Sequence, residues 1–434
     1  MKVFKFGGAS VKNAEAVKNV AEVIRQFCNE ELVVIVSAMD KTTNHLEEVV
    51  ERFFNNGDWK AELHWIKEFH KEVSLGLFEN SDHEIFNRID SVFEGIEEYL
   101  NQAEGKRYAE VYSEMVSQGE LLSTRIIRHY LNDNVKKTTW LDARRVIRTD
   151  FNFTDSRVDW EMTNQNISQK IPQYTKDGIV ISQGFIGANG EGKTTTLGRE
   201  GSDFSAAIFA TGLKAESVTV WKDVPGVMTA DPRKMPEATI IPELTYMDAA
   251  EMTYYGASII HPRTIKPLAQ NKIKLYVRPF TSPNADGTVI GRGHAKQHPS
   301  SFIVKTRQVF IDFKVTDFTF IDEKKLSLIF NALDQLNIKI NLMQTSAVSF
   351  SICIDKKFDK VEKLVERLST NFEISVRENL ELLTVIAYDQ EALNTIYERT
   401  EVILEQKTKQ VYHLLYVPEK KHLELTKQKS NKPS

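Results

Sequence analysis

The segment KVFKFGGASVKNAEAVKNVAEVIRQFCNEELVVIVSAM (residues 2–39) predicts how the first part of the chain folds. Residues 2–6 resemble a short strand, which ends at Gly7 and Gly8. An amphipathic helical pattern follows. Residues 31–39 then form a continuous apolar run, which is typical of a strand buried on both faces of a sheet. A strand, a glycine turn, a helix and a buried strand together predict a βαβ unit.

Strands and helices alternate along the next part of the chain. Residues 45–131 are amphipathic and helix-rich, with few glycines and no proline. Strand-like runs return at 178–187, 217–224 and 272–280, and a helical pattern separates the first two. This alternation predicts an α/β fold with an open, mostly parallel, doubly wound sheet and helices on both faces.

A domain boundary is expected within residues 281–301, which are rich in Gly, Ser, Pro and polar residues. Beyond it, a strand at 309–315 and a helix at 324–337 begin a βαββαβ rhythm, the pattern of a ferredoxin-like fold. A shorter second round follows, with a strand, a helix predicted through 390–406, and a final strand over 410–417. The chain is therefore expected to contain two different architectures.

The composition excludes several classes of function. The 434 residues are 41% hydrophobic and 27% charged, and the net charge of −4 gives no general attraction to nucleic acid or to an anionic membrane. The first residues lack a long apolar segment, and no run is long enough to span a bilayer, so a cytoplasmic protein is expected. Cys28 and Cys353 lie far apart in apolar contexts, which predicts buried thiols in a reducing compartment.

The stretch GANGEGKT (187–194) matches the phosphate-binding loop pattern G-x-x-x-x-G-K-[ST]. In a genuine loop of this kind, the strand leads directly into an apolar helix whose N-terminus holds the phosphates. Here Lys193 and Thr194 are followed by TTLGREGSD, and the apolar helix begins only near Phe204. The context therefore favours a glycine-rich turn or hairpin over an ATP-binding loop.

Two segments at predicted strand ends contain candidate ligand-binding residues. In KFGGAS, the backbone at Gly7 and Gly8 can approach a polyphosphate closely, and Lys5 can neutralise charge during phosphoryl transfer. In VSAMDKTTN, Ser37 and Thr43 can contact a phosphate or a small substrate, because ligands of open α/β sheets bind beyond the carboxyl ends of the strands. A purely structural glycine turn and simple helix capping remain the alternatives.

Two further segments add groups that suit an amino acid. Glu120, near a predicted helix start, can bind an ammonium group, although an ordinary first-turn glutamate is the alternative. Arg199 can grip a carboxylate with two hydrogen bonds, Asp203 can accept from an amine, and Ser202 can cap the following helix. The segment 221–233 adds an acidic residue at a strand end and a Pro-Gly turn. Together these groups are what a kinase acting on an amino acid would need.

At this point the sequence resembles the aspartate kinases of the amino-acid kinase superfamily. Six motifs carry the resemblance, in the order and approximate spacing of that family: KFGGAS (5–10), VVIVSAMDKTTN (33–44), SQGELLSTRI (117–126), GFIGANGEGKTTTLGREGSD (184–203), WKDVPGVMTADPR (221–233) and YGASIIHPRTIKPL (255–268). The resemblance implies a catalytic domain over residues 1–295 with a helical insertion at about 45–131, followed by tandem ACT units over 303–434, the second of them degenerate.

The resemblance implies transfer of the γ-phosphate of ATP to the side-chain carboxylate of L-aspartate, with Mg²⁺ bound mainly through the ATP phosphates and with no protein metal site. Lys5 and Asp203 are the implied catalytic residues. The implied substrate-binding residues are Ser37, Thr43, Glu120, Arg199 and Ser202. The implied ATP-binding residues are Lys5, Gly7, Gly8, Lys222, Asp223, Met228, Arg233 and Ser258, although many members have a lysine in place of Ser258.

The C-terminal region resembles tandem ACT regulatory domains. Asn341, Thr345 and Ser346 fall where relatives bind an amino-acid effector, which predicts regulation by lysine or threonine. The resemblance also implies a homodimer through the ACT units, without nucleic-acid or membrane partners. Two alternatives remain: an ACT-containing regulatory subunit with weak activity, and a kinase for another acidic amino acid.

Overall fold

The computed structural model describes residues 1–80, 82–257, 260–293, 299–316, 319–357, 359–394 and 401–418. The chain divides into two compact units. The first comprises Met1–Val227, Ile240–Ala250 and Ser258–Lys296, and the second comprises Met228–Thr239, Glu251–Ala257 and Gln297–Ser434. Within the described ranges, no helix is both long and apolar enough to cross a membrane.

A mostly parallel sheet forms the centre of the first unit. The strands of this unit are β1 (Lys2–Phe6), β2 (Leu32–Val36), β3 (Thr138–Leu141), β4 (Ile179–Gln183), β5 (Ile186–Ala188), β6 (Thr194–Thr196), β7 (Ser217–Lys222), β8 (Glu243–Thr245), β9 (Lys274–Pro279) and β10 (Thr288–Gly291). Eight of them form one sheet in the order β3-β4-β2-β1-β7-β9-β10-β8, in which only the β9–β10 pair is antiparallel. The predicted α/β sheet is confirmed.

Helices cover this sheet. They are α1 (Ala14–Arg25), α2 (Thr42–Phe54), α3 (Trp59–Leu77), α4 (Glu84–Asn101), α5 (Tyr108–Asn134), α6 (Trp160–Lys170), α7 (Pro172–Thr175), α8 (Gly201–Leu213), α9 (Tyr246–Tyr254) and α10 (Pro262–Asn271). The helix-rich segment predicted at about 45–131 corresponds to α2–α5. All five residues of β2 are buried, as expected of an inner strand with helices on both faces.

The parallel register places the carboxyl ends of several strands at one edge of the sheet. Lys5 pairs in register with Ile35 of β2 and with Val220 of β7. The carboxyl ends of β1, β2 and β7 therefore lie side by side, which is where open α/β sheets bind ligands. The predicted strand over 178–187 is divided into β4 and β5, because the Gly184 N–H donates to the Val36 carbonyl and Phe185 has a positive φ of 68°.

The stretch GANGEGKT is a β-hairpin. Strands β5 and β6 pair antiparallel, and the Asn189 side chain accepts hydrogen bonds from the N–H groups of Glu191 and Lys193 across the turn. The Lys193 ammonium lies 3.0 Å from the Glu110 carboxylate on α5. The hairpin prediction is confirmed, and Lys193 serves to attach the hairpin to α5.

A six-stranded antiparallel sheet forms most of the second unit. Its strands are β11 (Ser301–Val315), β12 (Ile340–Thr345), β13 (Ser349–Asp355), β14 (Phe372–Ile386), β15 (Glu401–Lys407) and β16 (Val411–Val417), in the order β12-β13-β11-β14-β16-β15. The helices are α11 (Glu323–Gln335), α12 (Lys360–Leu368) and α13 (Gln390–Asn394). The succession from β11 to β14 is the predicted ferredoxin-like βαββαβ unit.

The shorter strand–helix–strand pattern predicted at the end of the chain shares strands with the βαββαβ unit. The last part of β14 continues into α13, β15 and β16, and the first part of β11 pairs with it from Ser301 to Lys305. The two halves of this sheet therefore share two long strands, β11 and β14. This sharing explains why the second round is short in sequence.

Two predictions in detail are wrong. Of the helix predicted through 390–406, Gln390–Asn394 form α13, whereas residues 401–407 form the edge strand β15, because Val402 and Leu404 pair with β16. Cys353 is buried, but Cys28 is only half-buried because it lies in the turn after α1. Both thiols are free.

Candidate active site

Two lysines converge on one buried carboxylate at the carboxyl edge of the first sheet. The Lys5 ammonium lies 2.6 Å from Asp203 Oδ1, and the Lys222 ammonium lies 3.7 Å from Asp203 Oδ2. The Asp203 side chain is only 5% exposed. The 2.6 Å contact is a close ion pair rather than a well-directed hydrogen bond, because Oδ1 has no partner with hydrogen-bonding geometry among the described residues.

The cluster follows from strand alternation. Side chains alternate between the two faces of a strand, so Lys5 points opposite to Phe4 and Phe6. Lys222 shares the face of Lys5, because Lys5 pairs in register with Val220. Helix α8, which starts at Gly201, contacts β1 and β7 and presents Asp203 in its first turn.

The pKa of Asp203 is set by two opposing effects. Burial alone would raise the pKa of this carboxyl, but the ammonium groups of Lys5 and Lys222 together hold it below its ordinary value. Asp203 is therefore ionised and fixes the two ammonium groups close together. Together, these two ammonium groups and one carboxylate carry a net positive charge.

The glycine turn after β1 packs tightly on the end of β2. A Cβ atom at Gly8 would lie 2.8 Å from the Asp40 carbonyl oxygen and 2.9 Å from that of Ala38. The Asp40 N–H donates back to the Gly8 carbonyl at 3.3 Å. A side chain at position 8 would therefore separate the turns that follow β1 and β2.

The start of α8 also packs closely against a glycine. A Cβ atom at Gly184 would overlap Ser202, which is buried. Glu200, just before the helix, has a φ of 54°, a left-handed conformation that costs a non-glycine residue roughly 1 kcal/mol or more. The N-terminus of α8, with its partial positive charge, is thus fixed beside Lys5.

Glu120 is a second buried carboxyl group, on α5. It is 3% exposed, and burial raises its pKa to about 8, although a backbone hydrogen bond from Ala38 and the charge of Lys5 act in the opposite direction. Its Oε2 atom has no hydrogen-bond donor among the described residues. A buried oxygen without a donor is costly, so this atom is suited to receive a donor from a ligand.

The other predicted substrate residues of the first unit differ in burial. Ser37 and Thr43 are half-buried, as is Gly7 of the predicted ATP-binding set, and the Ser37 carbonyl accepts a hydrogen bond from Ser123 on α5 at 2.8 Å. Arg199 is exposed in the loop before α8, and no described residue forms an ion pair with it. Its guanidinium therefore does not depend on a partner within the described chain.

The predicted nucleotide residues are not all in one unit. Lys222 and Asp223 lie at the end of β7, where Asp223 is exposed. Met228 and Arg233 belong to the second unit, and Arg233 forms an ion pair with Asp231 at 2.8 Å. Ser258 lies outside the described residues. The ATP contacts of Met228, Arg233 and Ser258 stay predictions.

Sequence reasoning missed several features. Lys222 was expected to contact nucleotide only, whereas it also lies beside Asp203. The Thr42 hydroxyl is buried and lacks a hydrogen-bond partner among the described residues, and a Cβ atom at Gly119 would lie 3.1 Å from the Thr42 methyl group. The pair of threonines in DKTTN was the only available signal, and it does not distinguish Thr42 from Thr43.

The predicted effector residues lie in the second unit, with Asn341 near the start of β12, Thr345 at its last position and Ser346 directly after it. Asn341 Oδ1 accepts a hydrogen bond from Lys305 at 2.8 Å, and Asn341 Nδ2 donates to Gln308 and to Asp355. Thr345 and Ser346 are exposed, and the Ser346 hydroxyl accepts from the N–H of Ser349 in the β12–β13 turn. An effector that binds Asn341 would have to replace contacts within the protein.

The fold and the first-unit geometry define an α/β protein in which two lysines meet a buried aspartate at the carboxyl edge of the sheet, together with a second buried carboxyl group. Residues 1–279 match the amino acid kinase family. The chain belongs to this family.

The similar proteins include aspartokinases. The chain is 30% identical to the lysine-sensitive aspartokinase 3 of Escherichia coli over 399 residues, which cover 89% of this chain and 87% of the relative. It is 31% identical to the chloroplastic aspartokinase 2 of Arabidopsis thaliana over 417 residues, covering 90% and 74%. The crystal structure of E. coli aspartokinase III with aspartate and ADP superimposes with a TM-score of 0.80, 27% identity and 96% coverage of both chains.

Proposed function

We propose that this protein is an aspartate kinase, which transfers the γ-phosphate of ATP to the side-chain carboxylate of L-aspartate. The products are 4-phospho-L-aspartate and ADP, and the reaction is the first step toward lysine, threonine and methionine. The observation that carries the proposal is the convergence of Lys5, Lys222 and Asp203 near the buried Glu120. The similarity to aspartokinases over most of the chain supports it.

The reaction needs charge neutralisation and alignment. A carboxylate oxygen of aspartate attacks the γ-phosphorus while the bond to the β–γ bridging oxygen breaks, and ADP leaves with that bonding pair. The substrate carboxylate is already ionised near neutral pH, so the step requires no general base. Lys5, held by Asp203, would neutralise the transferring phosphoryl group.

The substrate would be held by groups of both signs. The unsatisfied Glu120 carboxyl suits the ammonium group of aspartate, and Arg199 suits a carboxylate. Ser37, Thr43 and Ser202 supply hydroxyl groups at the same edge of the sheet. A substrate ammonium would give Glu120 Oε2 the donor that it lacks.

The nucleotide phosphates would lie against the turn of Gly7 and Gly8, near Lys5 and Lys222, with Asp223, Met228, Arg233 and Ser258 as further predicted contacts. Mg²⁺ would be bound mainly through the ATP phosphates. Among the described residues, no three His, Cys, Asp or Glu side chains are grouped as a metal site, and Asp203 is occupied by two lysines. The ion would supply further neutralisation of phosphate charge.

A hydroxamate assay tests the reaction. With aspartate, MgATP and hydroxylamine, the folded protein is expected to form aspartyl hydroxamate, because an acyl phosphate is trapped by hydroxylamine. Glutamate in place of aspartate is the matched control and is expected to give no product above background. Product from glutamate alone would assign the protein to another acidic amino acid, and no product from either would favour a regulatory subunit with weak activity.

We also propose that lysine regulates the enzyme through the second unit, near Thr345 and Ser346. The support is the E. coli relative, which is named lysine-sensitive, and its structure with lysine and aspartate, which superimposes with a TM-score of 0.79 at 27% identity. Millimolar lysine is expected to inhibit the kinase, with threonine as the control. Unchanged activity with lysine would refute this proposal. A homodimer through the second unit, testable by light scattering, and a cytoplasmic location stay predictions.

A further inference from the structure

A second site is suggested by a basic cavity in the first unit. The cavity has a volume of about 900 Å³ and lies among α4, α5 and the edge strand β3. Its lining residues are Glu84, Asn87, Arg88, Ser91, Arg125, Arg128, His129, Asn132, Lys137, Thr138, Thr139 and Trp140. None of the residues assigned above to aspartate or ATP is among them.

The lining is strongly positive. Four permanent cations, Arg88, Arg125, Arg128 and Lys137, face one carboxylate, that of Glu84. Glu84 is engaged with the His129 ring at 3.0 Å, and burial, with the neighbouring Arg128, lowers the pKa of His129. The cavity thus has a positive excess in a chain whose net charge is −4. Such an accumulation of like charge attracts anionic ligands.

Arg125 is the residue best placed to bind an anion. Its guanidinium stacks on the Trp140 ring at 4.6 Å, and it makes no hydrogen bond or close ion pair within the described ranges. Burial lowers its pKa to about 10, and the nearby charges of Arg88 and Arg144 act in the same direction, while Asp142 opposes them. Five N–H donors therefore remain for a ligand.

Hydrogen bonds hold the Trp140 ring on which Arg125 stacks. Trp140 Nε1 donates to the Thr124 hydroxyl at 3.0 Å, and Gln183 donates to the same hydroxyl at 2.8 Å. Arg128 Nε donates to the Thr138 carbonyl at 3.2 Å. Two guanidinium groups are thus oriented before a ligand arrives, which reduces the entropy lost on binding.

We propose that this cavity binds a small phosphate-bearing metabolite. Guanidinium groups form paired, charge-assisted hydrogen bonds with phosphate oxygens, and the amides of Asn87 and Asn132 supply additional donors. A cavity of this volume accommodates a molecule of nucleotide size. A second copy of this chain is disfavoured as the occupant, because a two-fold contact here would bring the same cations together.

Titration calorimetry with inorganic pyrophosphate tests the proposal independently of kinase activity. The nucleotide site can also bind pyrophosphate, so the Lys5→Ala variant is used as the background. This variant is expected to retain one binding site. Adding Arg88→Gln and Arg125→Gln is expected to weaken that binding at least about 10-fold, because two charge-assisted contacts are lost. Arg367→Gln, an exposed arginine of the second unit, is the matched control and is expected to change nothing.

Three results would overturn the proposal. They are no binding by the folded Lys5→Ala protein, unchanged binding in the triple variant, and equal binding of citrate, which would exclude selectivity for phosphate. A change in self-association of the Arg88→Gln, Arg125→Gln protein without pyrophosphate binding would assign this surface to a second copy. The single Arg88→Gln substitution lies on an exposed helix face and is therefore expected to leave the fold intact. It is expected to weaken pyrophosphate binding by about threefold.

Discussion

Replacing Lys5 by alanine is expected to lower kcat by about 1000-fold or more, because loss of a positive group at the transferring phosphate removes transition-state stabilisation of that order. The Lys5 ammonium is only 2.6 Å from Asp203 and is nearly buried, whereas the Lys222 ammonium lies farther away, 3.7 Å from the other oxygen of that carboxylate. The measurement is kcat from ADP release at saturating aspartate and MgATP.

Lys193→Ala is the matched control, because Lys193 occupies the lysine position of the phosphate-loop pattern. Lys193 is half-exposed and pairs with Glu110, and an exposed pair of this kind contributes about 1 kcal/mol or less. Its replacement is expected to change kcat by less than about fivefold. The opposite ranking of the two variants would show that the hairpin binds the phosphates.

Loss of folding must be separated from loss of catalysis in the Lys5 variant. Removing one partner of a buried ion pair destabilises a protein by roughly 3–5 kcal/mol, because the remaining charge is left buried. Lys222 remains near Asp203 and reduces this penalty. A Lys5→Ala, Asp203→Asn double variant removes the unpaired charge. It is expected to recover stability in thermal melts but not activity, whereas recovered activity would contradict a catalytic role for Lys5.

The KM for aspartate is expected to fall by roughly 10-fold per pH unit as the pH rises from about 6 to about 8, and to level off above it. The reason is Glu120, whose pKa burial raises to about 8, so that the free enzyme holds a neutral carboxyl near neutral pH. A substrate ammonium favours the ionised carboxylate, and binding below this pH must release the proton. Measured KM values across this range test the expectation.

Glu120→Gln is the matched variant, because glutamine keeps the shape and loses the titration. Its KM for aspartate is expected to be about 100-fold higher at pH near 8.5, in line with the loss of a buried charge-assisted contact, and independent of pH. A pH-dependent KM in this variant, or a pH-independent KM in the parent, would show that Glu120 does not bind the ammonium group.

The pH dependence of folding stability is a second test of the raised pKa of Glu120. The pKa of Glu120 is higher in the folded protein than its ordinary value of 4.5, so the protonated carboxyl favours folding at low pH. This contribution is fully present below about pH 4.5 and is lost as the pH rises toward about 8. Glu120→Gln is therefore expected to gain stability relative to the parent as the pH rises through this window.

Local patterns predicted most of the architecture. The sequence over residues 2–39 specified β1, α1 and β2, because strand and helix periods are visible in short windows. The absence of an apolar helical pattern between Thr194 and Phe204 indicated that GANGEGKT is a hairpin rather than a phosphate-binding loop. The pattern failed over 401–406, where pairing of β15 with β16 overrides any local helical preference.

The sequence by itself determined the two architectures and the candidate residues, because periodicity, glycine turns and charged groups at strand ends are local properties. Only the tertiary structure decided that Lys5 and Lys222 share Asp203, that burial raises the pKa of Glu120, and that four cations line a cavity beside β3. These properties depend on distances between residues remote in sequence and on exclusion from water. Parallel strand register and helix packing set these distances and this exclusion from water. A short window of residues does not reveal the register or the packing.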